Sequence, residues 1–174
     1  MKKTIICIAM LAMINCVSAA EVVEQVVPEQ VPAVAEFPEK VTTDHFTFKL
    51  DTRKWKYNGS QKNEAIRIES VNSPRINVVI STSPLEYKFW QNAKSKNNPA
   101  GKVIKKNGKS FETFFSGSPE EGSSKYSFGM WAGIPINPKG HVEIYIMGRK
   151  NPEQKPKDLV YPILDEVLSM LKFK

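Results

Sequence analysis

Cysteine, histidine and long apolar runs are the scarcest features of this 174-residue sequence. The two cysteines, Cys7 and Cys16, both lie near the start of the chain. The rest of the chain therefore offers no disulfide, no cysteine metal site and no thiol nucleophile. The longest apolar run, Thr4–Ile14, is far shorter than the ~20 residues that a membrane-spanning helix needs.

Residues 1–20 have the pattern of a secretory signal peptide. Two lysines open the chain, the apolar run follows, and Val17, Ser18 and Ala19 offer small residues where a signal peptidase reads. We therefore expect cleavage after Ala19 or Ala20 and a periplasmic or secreted mature protein.

A lipoprotein anchored at Cys16 is the alternative. Bacterial lipoprotein signals carry a small residue just before the modified cysteine, whereas Asn15 stands there in this chain. Cleavage at alanine is the reading that the residues favour. It leaves a mature chain without cysteine that is long enough for one domain with its own core.

Charge is distributed unevenly along the chain. The whole sequence carries a net charge of +7. Residues 21–40 contain five glutamates and one lysine, a net charge of −4, with three prolines and no glycine. The remainder, with 22 Lys and Arg against 13 Asp and Glu, carries +9. We therefore expect an acidic, flexible spacer over residues 21–41 and a basic domain over residues 42–174.

Three strands are predicted in the first part of this domain. Apolar and polar residues alternate in His45–Leu50, in Glu64–Glu69 and in Arg75–Ser81. Because only a short break separates the second strand from the third, we expect these two to pair as a hairpin.

A helix is predicted next. The segment 83–86, of sequence SPLE, has a capping serine, a proline at the first helical position and a glutamate three residues after the serine. The helix should run to about Lys94, with Leu85, Phe89 and Trp90 facing inward.

Lys102–Phe115 is the clearest hairpin of the sequence. Its centre is Asn107-Gly108, which suits a two-residue turn whose residues have positive φ. A polar loop over Ser116–Ser124 then leads to a predicted strand at Tyr126–Trp131.

A strand and a helix close the chain. Val142, Ile144 and Ile146 alternate with polar residues and predict a half-buried strand from position 141. Apolar residues recur at spacings of three and four over Val160–Leu171, which predicts a helix with one apolar stripe. Pro162 predicts that the regular helix begins near that residue or is kinked there.

Strands joined mostly by short turns, together with two helices, predict the fold class. We expect an α+β domain: a mostly antiparallel sheet of about six to seven strands with helices packed on its faces.

Several segments carry a resemblance to a known family. They are HFTFKL followed by Trp55, the strands EAIRIE and RINVVIS, the hairpin KVIKKNGKSFETFF, the strand HVEIYIMG and the closing LSMLKF. This pattern resembles the PsbP-like superfamily, which includes the Mog-type and DcrB-like periplasmic proteins. The resemblance implies a PsbP-like sandwich and a binding or assembly role more often than an enzymatic one. It carries no site residue or cofactor onto this chain.

The two histidines give weak grounds for a metal site. His45 stands beside Asp44, and His141 begins a later strand. Both histidines with Asp44 or Glu143 would suit zinc or copper, but no ligand spacing supports such a site. We therefore expect both histidines at solvent-exposed strand ends and predict neither a metal nor another cofactor.

One motif looks catalytic. Ser169 and Lys172 match the serine-x-x-lysine pattern of penicillin-recognising enzymes, which place the serine at a helix start. Here the serine falls in the predicted last turn of the final helix, so no catalytic residue is predicted.

Lysines cluster in the middle of the chain. Seven lysines and no acid lie between Tyr87 and Phe111. Lysines on one hairpin and one helix end would form a positive surface for phospholipid headgroups, an acidic protein or a cell-wall polymer. The candidate surface consists of Lys94, Lys96, Lys102, Lys105, Lys106 and Lys109. The alternative is a solvated face that protects edge strands.

These observations predict an exported, non-enzymatic binding or accessory module of the cell envelope that engages an anionic partner. Nucleic acid is not expected as that partner, because the protein is exported and lysine predominates over arginine. An envelope hydrolase with a cryptic site and a lipid-anchored structural protein are the alternatives.

Overall fold

The structure is a computed structural model that describes residues 39–58, 65–72, 75–136 and 139–174. The predicted signal peptide and nearly all of the predicted spacer lie outside these residues. In chain order the elements are β1 (Lys40–Thr42), β2 (Phe46–Lys49), β3 (Trp55–Tyr57), β4 (Ala65–Ser70), β5 (Ile76–Ser83), α1 (Tyr87–Asn97), β6 (Ile104–Lys106), β7 (Lys109–Phe115), β8 (Ser127–Pro135), β9 (His141–Arg149), α2 (Pro156–Ser169) and β10 (Leu171–Phe173).

Two antiparallel sheets organise the described residues. The larger has seven strands in the order β3-β4-β5-β9-β8-β7-β6, and the smaller has three in the order β1-β2-β10. The prediction of an α+β fold with a mostly antiparallel sheet and two helices is confirmed. Neither helix in the described part of the chain is long and apolar enough to cross a membrane.

Both predicted hairpins form. Strands β4 and β5 pair with Ile66 opposite Ile80, so that both apolar side chains share one face. Strands β6 and β7 are joined by Asn107 at φ 52° and Gly108 at φ 71°. These positive φ values are the ones that a two-residue turn between twisted strands requires.

One hydrophobic cluster forms the core. It lies between the inner face of the seven-stranded sheet and a second layer made of α2 and the three-stranded sheet. The sheet supplies alternate residues such as Ile144 and Ile146, and the second layer supplies Phe46, Phe48 and the apolar stripe of α2. Each of these buried side chains contributes roughly 1.5–3 kcal/mol relative to exposure.

The opposite face of the seven-stranded sheet carries α1. Gly133 alternates with core-facing Ala132 and Ile134, so it lies on the outer face. A Cβ at Gly133 would stand only 2.4 Å from the ring of Trp90. The indole therefore rests directly on the sheet backbone, and its Nε1 donates a 2.6 Å hydrogen bond to Glu143.

The start of α1 differs from the prediction. Ser83 is the last residue of β5, where it pairs with His141, and α1 begins at Tyr87 with Glu86 at the N-cap. The capping signal at Ser83 was wrong because strand pairing with β9 continues through that residue. No side chain caps the helix.

The inward face of α1 is also narrower than predicted. Trp90 is buried at 5% exposure, as expected, but Leu85 and Phe89 are 56% and 64% exposed. The indole is the one buried side chain of the helix, and Tyr87 adds a hydrogen bond from its hydroxyl to the carbonyl oxygen of Gly133 at 3.2 Å.

The end of the chain corrects two predictions. Helix α2 begins at Pro156, so the predicted start near Pro162 is wrong, and burial of Pro156 and Val160 holds the first turns. Pro162 lies inside the helix, and the kink given as the alternative stays a prediction. The helix ends at Ser169, and Leu171–Phe173 is a strand that pairs with β2 instead of continuing the apolar stripe.

Two short strands were absent from the sequence prediction. Strand β1 begins at Lys40, inside the range predicted as spacer, and pairs with β2. Strand β3 pairs with β4, and its Trp55 donates a 2.6 Å hydrogen bond from Nε1 to Glu166 of α2.

Candidate functional site

The two predicted lysines of α1 have different surroundings. Lys94 is partly buried, with its Nζ 3.7 Å from the carboxylate of Glu143 and 4.2 Å from the ring centre of Trp131. Lys96 is exposed. Lys94 therefore packs onto the outer sheet face, where a carboxylate balances its charge.

The hairpin lysines are divided between two faces. Lys106 faces Lys109 across the strands, and its Nζ lies 2.7 Å from Asp165 of α2. Lys105, opposite Ser110, falls on the other face of the hairpin.

Lys102 lies beside α2. Its backbone N–H donates to the hydroxyl of Tyr161 at 2.8 Å, and its Nζ lies 5.3 Å from the centre of that ring. Lys102, Lys106 and Lys109 therefore lie on the side of the hairpin next to α2, whereas Lys105 faces the other way and Lys94 packs on the outer face of the sheet. The six predicted lysines do not form one surface.

His141 is buried, which contradicts the prediction of an exposed strand end. It is 2% exposed, and its Nδ1 lies 3.0 Å from the carbonyl oxygen of Leu85. The ring lies next to Trp90, with ring centres 5.5 Å apart. Helix α1 and the segment before it cover the start of β9, so His141 is buried, although the rest of the outer face of this strand stays partly exposed.

His45 is partly exposed, and with Asp44 it lines two clefts of about 410 and 400 Å³. Within the described residues, no hydrogen bond joins its ring to a carboxylate. In the same ranges, no three His, Cys, Asp or Glu side chains are grouped as a metal site would need. Ser169 donates its hydroxyl proton to the carbonyl oxygen of Glu166, a bond within the helix end.

The outer face of the three-stranded sheet carries several lysines. In β2, Phe46 and Phe48 face the core, so Thr47 and Lys49 face outward. Strand β1 places Lys40 directly opposite Lys49.

Strand β10 extends this face. Lys172 stands opposite Thr47, and Lys174 follows the strand, with its backbone N–H bonded to the carbonyl oxygen of His45 at 3.1 Å. We call the surface formed by Lys40, Lys49, Lys172 and Lys174 the basic face. It borders a shallow groove of about 660 Å³ with no carboxylate among its described lining residues.

The lysines of the basic face are close to one another. Directly opposed residues of antiparallel strands have Cβ atoms about 5 Å apart, and like charges in that position are destabilising. Lysine on an edge strand is explained by protection against aggregation, which accounts for Lys40 on β1 and Lys172 on β10. Lys49 lies on the central strand, where that explanation does not apply.

Several basic side chains elsewhere on the domain have acidic partners. Lys157 and Lys155 both contact Glu120, and these hydrogen bonds lower the pKa of its carboxyl. By contrast, no ion pair within the described ranges involves Lys40, Lys49 or Lys172. The basic face is therefore a concentration of uncompensated positive charge.

Sequence reasoning missed this face for two reasons. The alternation of β2 already placed Lys49 outward, but nothing local showed that Lys40 would lie beside it. The motif that ends at Lys172 was placed in the last turn of the final helix, although Leu171, Lys172, Phe173 and Lys174 alternate as a strand does. That alternation is the signal that could have found it.

Comparisons with models of known protein families, with curated proteins and with solved structures found no match.

Proposed function

We propose that this protein is an exported, non-enzymatic accessory module that docks on anionic phospholipid headgroups through the basic face. The observation that carries the proposal is Lys49, a central-strand lysine directly opposite Lys40 and without an acidic partner in the described residues. A fold tolerates that repulsion at a cost in stability, and an anionic surface removes it.

The basic face is better suited to binding phospholipid headgroups than to binding a partner protein. Lysine is a flexible point charge, and each one near an anionic membrane surface contributes about 1 kcal/mol. Thr47 and Ser169 lie among the lysines. The strongly exposed large apolar side chains of the described residues, such as Phe89 and Val103, lie outside the groove. The face therefore offers charge without an apolar anchor.

The N-terminal sequence supports export, because it combines a signal-like segment with an acidic spacer. We also propose that the domain is a PsbP-like sandwich. Support for that comes from the resemblance of the sequence segments and from an antiparallel sheet with one helix on each face. Binding and assembly roles predominate in that family, which agrees with a module that does not catalyse a reaction.

Vesicle co-sedimentation tests the docking. The purified mature chain should bind vesicles that contain phosphatidylglycerol, and should not bind vesicles of phosphatidylcholine alone. The double variant Lys49→Gln and Lys172→Gln should lose about 2 kcal/mol, roughly thirtyfold in affinity, because two charges are removed from the contact. Added salt should weaken wild-type binding, since exposed charges are screened.

The matched control is Lys102→Gln with Lys105→Gln, which removes the same charge from the predicted hairpin surface. This control should bind nearly as well as the wild type. An equal loss in both double variants would contradict a role for the basic face and favour general charge attraction or the hairpin. Binding to an anionic polymer but not to vesicles would also overturn the lipid assignment.

A further inference from the structure

A buried lysine lies at the end of β9. Lys150 is only 6% exposed, yet its Nζ makes a single hydrogen bond in the described part of the chain, 3.4 Å from the carbonyl oxygen of Pro152. An ammonium group has three donors, and burying it without partners is costly. In the described residues the Lys150 ammonium therefore makes fewer hydrogen bonds than it has donors.

Lys150 lines a cavity of about 820 Å³. That volume falls within the range of small-molecule binding sites. Two further cations line it, and its remaining described lining residues carry hydroxyl or amide groups, with no carboxylate among them. The lining consists of Arg75, Tyr126, Ser127, Arg149, Lys150, Asn151 and Gln154.

The two arginines present their donors differently. Arg75 is held by Glu69, whose Oε2 accepts from Nε at 3.1 Å and from a terminal nitrogen at 3.0 Å. The side chain is still 72% exposed, so its orientation is set while other N–H groups stay available. Arg149 is exposed and makes no ion pair within the described ranges.

A second cavity of about 640 Å³ adjoins the first. The two share Arg75, Ser127 and Arg149, and the second continues over the outer sheet face along Asn77 and Tyr145. The cations are thus at one end of a longer polar groove, with room beyond them for the body of a ligand.

We propose that this groove binds a small molecule that carries a phosphate monoester on a hydroxyl-rich body, such as a sugar phosphate. Three cations line the groove, a charge that matches a dianionic group, and arginine forks suit phosphate oxygens. Amide and hydroxyl groups suit the polar body. The groove shares no residue with the basic face, so this proposal stands or falls independently of lipid docking.

Isothermal titration calorimetry tests the ligand class. Glucose 6-phosphate should bind the mature chain, whereas glucose and gluconate should not. If inorganic phosphate binds as tightly as glucose 6-phosphate, the groove recognises free phosphate. If it binds more weakly, the body of the ester contributes. The proposal would be overturned if neither glucose 6-phosphate nor inorganic phosphate bound, whether or not gluconate did.

Two variants assign the site. Arg149→Gln and Lys150→Met should each weaken glucose 6-phosphate binding at least about tenfold, because each removes a charge-assisted hydrogen bond. Arg67→Gln is the control, since Arg67 is an exposed arginine outside both cavities. Wild-type affinity in both site variants, or an equal loss in the control, would contradict the site.

Lys150→Met also separates binding from folding. Replacing a poorly partnered buried ammonium by an apolar chain of similar length should leave the urea midpoint of the free protein unchanged or raise it. A purely structural lysine would lower that midpoint in the variant. Arg149→Gln, at an exposed position, tests the groove even where the Met variant folds poorly.

Discussion

Glu69 is the residue with the most polar partners in the described structure. It lies on the outer face of β4 and is 7% exposed. Lys56 contacts its Oε1 at 2.9 Å, while Arg75 and the amide of Asn58 contact Oε2. The hydrogen bond from Lys56 lowers the pKa of this carboxyl most, and the hydrogen bond from Arg75 lowers it further. The same contacts orient Arg75 toward the polar groove.

This arrangement predicts a pH dependence of stability. The unfolded carboxyl has its ordinary pKa of 4.5, and the folded one titrates lower. The stabilisation is therefore complete above the ordinary value and is lost as pH falls through the lowered one. In urea titrations from neutral to acid pH, the wild type should lose more stability across that window than Glu69→Gln.

Asp51 and Glu120 also have lowered pKa values and remain in Glu69→Gln. They therefore contribute the same loss of unfolding free energy at acid pH to both proteins. The difference between the two curves thus isolates Glu69. Parallel curves would show that Lys56 and Arg75 do not stabilise its charged form.

At the scale of elements, β10 determines whether the basic face exists. Met170 is the C-cap that follows the last residue of α2, and its backbone N–H donates to carbonyl oxygens of the last helical turn. The chain then pairs Leu171 with Phe48 of β2, so Leu171 faces the core and Lys172 faces outward. A continued helix would have placed these two residues about 100° apart, without strand pairing.

Alanine substitutions on β10 test this assignment. Leu171→Ala should cost about 2–5 kcal/mol of unfolding free energy, because it leaves a cavity in the core. Lys172→Ala should stay within about 0.5 kcal/mol, since its side chain is on the surface. Urea denaturation measures both. Similar costs for the two variants would contradict the alternation of β10.

At the scale of the whole molecule, some cations are paired with carboxylates and others are not. On the seven-stranded sheet, cations such as Lys94 and Arg75 are matched with carboxylates. Lys40, Lys49 and Lys172 on the three-stranded sheet and Arg149 in the polar groove have no ion pair among the described residues. These unpaired cations are the groups through which the two proposals attach an anionic partner.

Export is a prediction at this same scale. Mass spectrometry of the mature protein, purified from the envelope, should find an N-terminus at Ala20 or Glu21 and no lipid. Cleavage at alanine would remove both cysteines with the signal. A mature chain that begins with lipid-modified Cys16 would contradict this expectation and favour the lipid-anchored alternative.

Features that depend on neighbouring residues could be predicted from the sequence. Alternation placed the strands around Phe46, Ile66 and Ile144, and Asn107-Gly108 specified its hairpin. Those patterns hold because the side-chain period of a strand and the φ values of a turn are local properties. They were sufficient for the α+β class.

Features that depend on partners distant in the sequence became visible only in the folded protein. Pairing with β9 kept Ser83 in a strand, packing of α1 buried His141, and pairing with β2 made β10 a strand. The basic face joins Lys40, Lys49 and Lys172 through two strand pairings between distant segments. Local propensity carries no information about such pairings, because their free energy comes from burying Phe46, Phe48 and Leu171 together.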